Sequence, residues 1–561
     1  MSLVVFEDNK PLVLQALHNG QFDYVEAASE VFETEFFKYI GAKQILQKAA
    51  LSYPTPRRKE EVPLWLYVAS DLSMRLHGVH SFHAFPTLVR TGGMLNAFCP
   101  RVGRKTLHPG TKDVTVVSEG FNGKNHYDRQ TPCDADFLRK LAKDTDATEL
   151  ERWMNTDIAR ILRGQRAFDE QGLFIGDGSY LFVPDNPAYE GSVRLLFDED
   201  DHPIGKEDFG RLSDERKVRC QWRRCYKVVT LMHTNANRGF FLMVGLRVVS
   251  GKDHECPVFY ALLKQVVAAL GSGIVKKVIL DRAFLDGEEI ARCKKDYGID
   301  VLIPVRKNMD IYADALPLFD FADVTWVTCQ DPVPQQASVQ PARLKPPAVR
   351  KREEQRQRTL KQRKEQQPAP SPDALIVKRQ VATIGDFTSW SSCSVPLSVI
   401  ANREYYADGH HDTWLLLSTQ RICDPAQARQ HYHLRSTVEE RYRQLKCFTD
   451  LSKFTSRAFS LVVNHVVFTM LAYNLLQLYL LRTQREQCNE KTPLTIRRQL
   501  LPANNYTIVY WQNHYGLFTS MEFIELMTIG LSEEARQKIG QKCRQLRTDL
   551  STALSNPRPL I

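Results

Sequence analysis

The sequence predicts an α/β fold: a mixed sheet flanked by helices, interrupted by a β-rich insertion and bracketed by helical regions. Three observations predict it. From about Gly172 to Arg306, short apolar runs bounded by turn residues alternate with helix-period stretches. That alternation breaks over 307–411 and resumes with TWLLLST, Thr413 to Thr419. Up to Gln171 and beyond Leu481, apolar residues recur at the three-and-four spacing of helices. The implied organisation is a helical region over 1–171, a first core part over 172–306, an insertion over 307–411, a second core part over 412–481 and a helical region over 482–561.

Each core element has a local reason. LFIGDGSYLFV, CYKVVTLMHT and GFFLMVGLRVVSG are rich in β-branched and aromatic residues and read as strands, with a turn at Asn235–Gly239 between the last two. PVFYALLKQVVAALG reads as a helix. VKKVILD is a buried strand ending at Asp281, GEEIARCKKDYG a short helix and IDVLIPV a further buried strand. Three opening antiparallel strands followed by crossovers that add parallel ones are the pattern of a ribonuclease-H-like core. In 307–411, DVTWVTCQ and the strand-like LIVKRQVATI flank a Pro/Gln/Arg/Lys-rich tract, Asp331 to Pro372. A tract of that length and bias does not fit inside a compact core, so it marks an insertion. DPAQARQHYHLRSTVEERYRQLK is one predicted helix, with Asp424 at its N-cap and Pro425 at its first position. AFSLVVNHVVFTMLAYNLLQLYLL is long enough for a bilayer, but Asn464, His465, Asn474 and Gln477 interrupt it. It is expected to be a buried core helix, with no membrane partner.

At 561 residues the chain suits three or four structural units, and 43% hydrophobic residues provide for a core. The net charge of +10 is concentrated: Arg343–Arg379 holds 12 Lys/Arg against 4 Asp/Glu, and Arg211–Lys227 has 7 against 2. Both excesses suit a polyanion, although a solvated linker has the same composition. RVGRK (Arg101–Lys105) and RILRGQR (Arg160–Arg166) are further basic turns, and Pro63–Leu95 has room for a helix-turn-helix. The 12 cysteines show no zinc spacing and read as reduced thiols of a cytoplasmic protein. The first residues lack the basic and apolar regions of a secretory signal.

The chemistry is concentrated in HYHLRSTVEERYRQLK. Arg435, Glu439 and Lys446 follow Tyr432 by three, seven and fourteen residues. On a continuous helix these offsets return to nearly one face, because seven residues fall about 20° short of two turns. A carboxylate among phosphate-binding groups suits a metal ion held against a nucleic-acid backbone. Two upstream aspartates are candidate co-ligands: Asp177, in GDGS of the first strand, and Asp281, ending the fourth. In a ribonuclease-H-like core those strands are neighbours, and the later helix packs across them. Three carboxylates can serve two divalent cations, which activate a water or 3′-hydroxyl and stabilise the departing oxyanion. Gly176 and Gly178 would let a phosphate backbone approach Asp177. Glu440 points about 100° away from Glu439 and is set aside. Asp286 reads as the cap of the helix near Glu288. Trp326, Trp390 and Trp414 read first as packing aromatics, and His410 and His411 as turn residues.

The strand with G-D-G, the strand ending in L-D-R-x-F and the Y-x2-R-x3-E-x6-K helix after a β-rich insertion resemble the catalytic domain of bacterial DDE transposases of the insertion-sequence-four superfamily, over about Gly172 to Leu481. The resemblance implies that Asp177, Asp281 and Glu439 are both catalytic and metal-binding, and that Tyr432, Arg435 and Lys446 contact DNA. It implies two Mg2+ ions, with Mn2+ able to substitute, cut-and-paste movement of insertion-sequence ends into target double-stranded DNA, a homodimer on DNA, and a nucleoid-associated place in the cytoplasm. Two alternatives stay open on the residues alone: a ribonuclease-H-fold nuclease, and a DNA-binding protein derived from a transposase that has lost its chemistry.

Overall fold

A computed structural model describes residues 7–22, 24–28, 31–59, 62–85, 105–107, 114–116, 135–235, 238–321, 323–329, 376–485, 488, 506–512 and 514–541. RVGRK up to Arg104, the tract Asp331–Pro372, the last part of Pro63–Leu95 from Pro86 on and the basic stretch beyond Gln541 lie outside the described residues. The central elements run in chain order β1 (Leu173–Val183), β2 (Val193–Phe197), β3 (Gln221–Asn235), β4 (Arg238–Ser250), α1 (Glu255–Leu270), β5 (Lys277–Ile279), α2 (Gly287–Tyr297), β6 (Asp300–Pro304), β7 (Val327–Thr328), β8 (Ile376–Phe387), β9 (Leu397–Tyr406), β10 (His411–Ser418), α3 (Pro425–His433), α4 (Ser436–Phe448) and α5 (Phe459–Arg482). The architecture is mixed α/β, with sheets flanked by helices, and is compatible with a ribonuclease-H-like fold. The chain forms two compact units, one of residues 1–274 with 438–561 and one of 275–437.

In the first unit, β1 and β3 pair antiparallel along most of their length. β2 and β4 share the other edge of β3, β2 against Gln221–Cys225 and β4 against Tyr226–Asn235. β2, VRLLF, is an element the sequence reading misses: it is only five residues long, and Phe197 alone of them is buried. Asn235 and Arg238 pair across the hairpin expected there.

Among the described residues no further strand pairs with the far edge of β4; helix side chains close it. Asn474 of α5 accepts from the Met243 N–H at 2.7 Å and donates to the Met243 carbonyl at 2.7 Å. Asn155 does the same for Leu246, at 2.8 and 3.0 Å. Glu151 accepts from the Val248 N–H at 2.7 Å. An open edge offers unpaired backbone groups to any passing strand, and these side chains remove that template. A bulge helps to aim them: Leu231 pairs with Gly245 and Met232 with Met243, which leaves Val244 as an extra residue.

α5 is apolar on all faces because it is buried on all faces, from Leu461 to Leu480. It is long and apolar enough to cross a membrane by length and composition, and it is buried inside its unit. Three of the polar residues that interrupt it, Asn464, His465 and Asn474, are its anchors. Asn464 donates to Asp71 at 2.7 Å and accepts from the Tyr67 hydroxyl at 3.0 Å. Arg75 pairs with Asp71 at 2.7 Å and meets His465 Nδ1 at 2.8 Å. The helix Leu64–Leu76 that carries these partners is buried from Leu66 to Leu76, so it cannot act as a DNA-reading helix.

The end regions are less helical than expected. A hairpin, Tyr506–Trp511 with His514–Thr519, pairs with the short strands Tyr24–Ala28 and Glu7–Asp8. Val13, Leu17, Val509, Phe518 and Ile539 close a small core of their own there. YTIVYW is β-branched and aromatic, and only a partner from the other end of the chain makes it a strand.

In the second unit the strand order is β7-β8-β9-β10-β6-β5, antiparallel except for the parallel pair β5–β6. The described part of 307–411 is therefore no separate domain: β8 and β9 extend the sheet that β10, β6 and β5 begin. Strands add wherever a register continues, and β9 matches β10 from Ser398↔Ser418 to Tyr405↔His411. α2 is framed as its sequence implies, with Asp286 accepting from the Glu289 N–H at 3.1 Å and Gly298 at φ +67° as its left-handed cap.

Asn474→Ala would leave the Met243 N–H and carbonyl unpaired in the core. Each unmet group costs about 1–3 kcal/mol, so a loss of roughly 2–6 kcal/mol is expected from urea unfolding followed by circular dichroism. A change below about 0.5 kcal/mol would refute the edge-closing role. A second expectation concerns acid. His233 is fully buried between the Asp169 N–H, which donates to its Nε2 at 3.3 Å, and the Leu173 carbonyl, which takes its Nδ1 proton at 3.1 Å. Burial pulls its pKa down to about 4, against the opposing effects of Asp169 and the Leu173 carbonyl. Above pH 6.5 folded and unfolded imidazoles are both neutral; from about 6.5 down to about 4 only the unfolded one gains a proton. Stability should therefore fall across that window, and His233→Asn should show a shallower fall in matched denaturant series.

Candidate active site

The predicted single helix Pro425–Lys446 is two helices. Asp424 caps α3 through the Ala426 and Gln427 N–H groups at 2.9 and 3.1 Å, and Pro425 begins it, as expected. α3 ends at His433 and α4 starts at Ser436. Between them the bonds tighten to the three-residue pattern, Leu434 N–H to His431, Arg435 N–H to Tyr432 and Thr437 N–H to Leu434, at 2.9–3.1 Å. The Ser436 hydroxyl donates to the His433 carbonyl at 2.8 Å and that of Thr437 to the Leu434 carbonyl. Hydroxyls that bond the backbone three residues back compete with the helix ladder, and here they break it. Tyr432 thus lies in the last turn of α3, Arg435 sits in the turn between the helices, and only Glu439 and Lys446 share a helix. The four do not form one stripe.

In the first unit, α4 lies over the face of β1 that carries Asp177 and Ser179. Tyr442 seats it: its hydroxyl lies 2.6 Å from Thr230 Oγ1 and donates to the Asp177 carbonyl oxygen at 3.2 Å. Thr230 is the β3 partner of Asp177, so one phenol ties α4 to both strands. Burial lifts the Tyr442 pKa well above its ordinary value, and the Asp177 charge adds to the effect, so the phenol stays protonated. One turn further on, Lys446 Nζ donates to Ser179 Oγ at 2.8 Å. Burial lowers the Lys446 pKa, opposed by the carboxylates of Asp201 and Asp177. Asp177 is buried, 9% exposed. Glu439 is exposed, one turn before Tyr442 on the same side of α4. Glu440 is engaged elsewhere, by Arg443 at 2.6 Å and Gln444 at 3.0 Å. Arg443 is the main reason that the Glu440 pKa lies below its ordinary value.

Gly178 has a different use from the one expected. Its side faces α1, and a Cβ there would run into the Glu255 carboxylate. Glu255 in turn pairs with Lys227 at 3.4 Å. The glycine admits a protein carboxylate behind Asp177, whereas the expectation was a phosphate backbone. The sequence reading passed over Tyr442, Thr230, Ser179 and Glu255. Tyr442 stands three residues after Glu439 and so shares its face, and that spacing alone could have drawn attention to it.

In the second unit, Asp281 lies just beyond the end of β5. Its Oδ1 accepts from the Arg282 N–H at 2.7 Å, and its Oδ2 from Arg435 Nη2 at 3.1 Å. Arg306 fixes the turn by donating to the Arg282 carbonyl at 2.9 Å. Tyr432 packs its ring against Trp414, centroids 5.8 Å apart. Trp326 packs on Phe319 and lies under Arg403, while His410 stacks on Tyr406 at 4.2 Å, as packing and turn residues do. Lys277 approaches His431 Nδ1 at 3.4 Å, and burial draws the His431 pKa down to about 4.

The first unit thus brings Asp177, Lys446 and the helix bearing Glu439 to one sheet face, and the second joins Asp281 to Arg435. Among the described residues, no group of three or more His, Cys, Asp or Glu side chains could hold a metal ion as arranged. The donor chemistry nonetheless fits a hard divalent cation: the three residues offer carboxylate oxygens only, and Asp281 already holds a positive group on one of its oxygens. The model of the transposase DDE domain family matches residues 191–475, just over half of the chain. The chain belongs to that family. The matched span contains Asp281, Tyr432, Arg435, Glu439 and Lys446, while Asp177 lies upstream of it. No curated protein matches. Membership makes the chain a DNA-acting transposase, an enzyme of a family that uses divalent metal ions.

Tyr442→Phe should lower the stability of the first unit by about 1–2 kcal/mol, since it removes one buried bridging hydroxyl. It should also slow DNA cleavage, because α4 loses its tie to the Asp177 strand. Unchanged unfolding and unchanged cleavage together would show that the helix is seated by other contacts.

Proposed function

We propose that this transposase cuts and pastes insertion-sequence ends by the chemistry of the insertion-sequence-four superfamily, on a ribonuclease-H-like core. In this reading Asp177, Asp281 and Glu439 would hold two Mg2+ ions, for which Mn2+ can substitute. The ions, when bound, would activate a water or 3′-hydroxyl and neutralise the departing oxyanion. The observation that carries the proposal is the seating of α4 on β1 by Tyr442 and Lys446. It sets a helix with an exposed glutamate over the strand face of a buried aspartate, within a chain of the DDE transposase family.

The remaining residues then divide the work. Lys446, turned to Ser179 beside Asp177, would meet a phosphate only at the reacting end of the DNA. Arg435 can take a phosphate with two parallel N–H bonds, and Tyr432 offers a hydroxyl or a ring face. Glu255 braces the strand from behind through Lys227. The substrate in this reading is double-stranded DNA, both transposon ends and target, handled by a dimer because two ends must be joined.

The test is incubation of the protein with Mg2+ and DNA flanking its own gene, scoring both cleavage and joining. Glu439→Gln should cut at less than roughly one-hundredth of the wild-type rate while still retarding DNA. Loss of a metal site's outer partner already costs about 10–100-fold, and a ligand counts for more. Glu440→Gln should retain activity. Equal nicking by wild type and Glu439→Gln would remove Glu439 from the site, and cleavage without joined products would favour a nuclease.

A further inference from the structure

We infer that Arg435 is a stand-in counter-ion for Asp281: its guanidinium holds the carboxylate until a divalent cation displaces it, and the displaced arginine then takes a DNA phosphate. The inference rests on the reading of Asp281 as a metal ligand. Three observations within the second unit carry it. Asp281 is fixed in place, because its Oδ1 accepts from the adjoining Arg282 N–H and Arg306 ties down the Arg282 carbonyl. Its Oδ2 points instead to Arg435 Nη2, at 3.1 Å. The pair is partly open, with side-chain exposures of 22% and 30%, so a hydrated cation can reach it and the arginine can leave without stranding a buried charge.

The chain around Arg435 suits an exchange. The residue lies in the short turn between α3 and α4, held by three-residue bonds and by hydroxyls, and not inside a helix where its backbone would be committed. A guanidinium and a divalent cation on one carboxylate oxygen repel each other, so the two compete for Asp281. Arginine is weakly hydrated and carries a planar fork that fits a phosphate as well as it fits a carboxylate. Metal and DNA would then promote each other's binding through a single side chain, and that coupling is reciprocal. In the absence of metal the pair also spares Asp281 from presenting a bare negative charge to DNA.

The test is Mn2+ binding to the full chain without DNA, by calorimetry, for wild type, Arg435→Gln, Arg435→Lys and Asp281→Asn. Arg435→Gln should bind Mn2+ at least about fivefold more tightly, the lower end of typical coupling between sites. Arg435→Lys keeps the charge but loses the fork, and should fall between the two; it also guards against a folding defect in the glutamine variant. Asp281→Asn should lose the Mn2+ site. Equal or weaker Mn2+ binding by both Arg435 variants, with the site lost in Asp281→Asn, overturns the counter-ion role and leaves Asp281 as a ligand. Unchanged Mn2+ binding by Asp281→Asn overturns the ligand reading, and the counter-ion role with it.

Discussion

Everything in the first unit is built around one apolar helix that must be buried yet carries polar groups. α5 lies inside the unit with three of its four interrupting polar residues partnered there. Asn464 meets Asp71 and Tyr67, His465 meets Arg75, and Asn474 meets both backbone groups of Met243. The last contact matters most, because it joins the helix to the free edge of β4. It satisfies a strand that no other strand covers among the described residues, and it fixes the depth and rotation of the helix. The sheet that carries Asp177 is therefore held at one edge by side chains and not by the ladder of a neighbouring strand.

That sheet is also the platform on which α4 rests. β3 pairs with both β1 and β4, so the edge held by Asn474 and the strand of Asp177 belong to one ladder. On its face, Tyr442 and Lys446 hold α4 by two polar contacts rather than by apolar packing alone. Polar contacts of this kind are directional, so they set the rotation of α4 as well as its position. The opposite face has its own constraint, since Gly178 leaves space for Glu255 and Lys227. The strand that holds Asp177 on one face is thus braced by an ion pair on the other.

How far the site was legible depends on where its cause lies. Asp424, Pro425 and Asp286 do what local capping chemistry says, since a cap is decided within a few residues. The strands β1, β3, β4, β5 and β6 follow their apolar patterns, and the polar interruptions of α5 mark it as a core helix. The break at Leu434–Arg435 was missed, although its cause is local: a Ser-Thr pair bonding backward is weaker evidence than a helix-period pattern that runs through it. The hairpin at Tyr506–Thr519 and the place of β8 and β9 in the sheet were missed for another reason. A strand's partner can be hundreds of residues away, and its own composition does not name that partner.

The sequence by itself determined the chemistry on offer: which carboxylates exist, that the chain belongs to a DNA-acting family, and that a stretch carrying Tyr432, Arg435, Glu439 and Lys446 concentrates phosphate-binding and acidic groups. Those are properties of side chains and of their order along the chain. Only the tertiary structure decided which groups act on which neighbour. It turned Arg435 to Asp281 and Lys446 to Ser179, gave Gly178 to Glu255, and made Tyr442, unremarked in the sequence, the residue that seats the helix. Such pairings depend on packing between distant elements, where a shift of a few ångströms changes the partner, and no spacing along the chain records that distance.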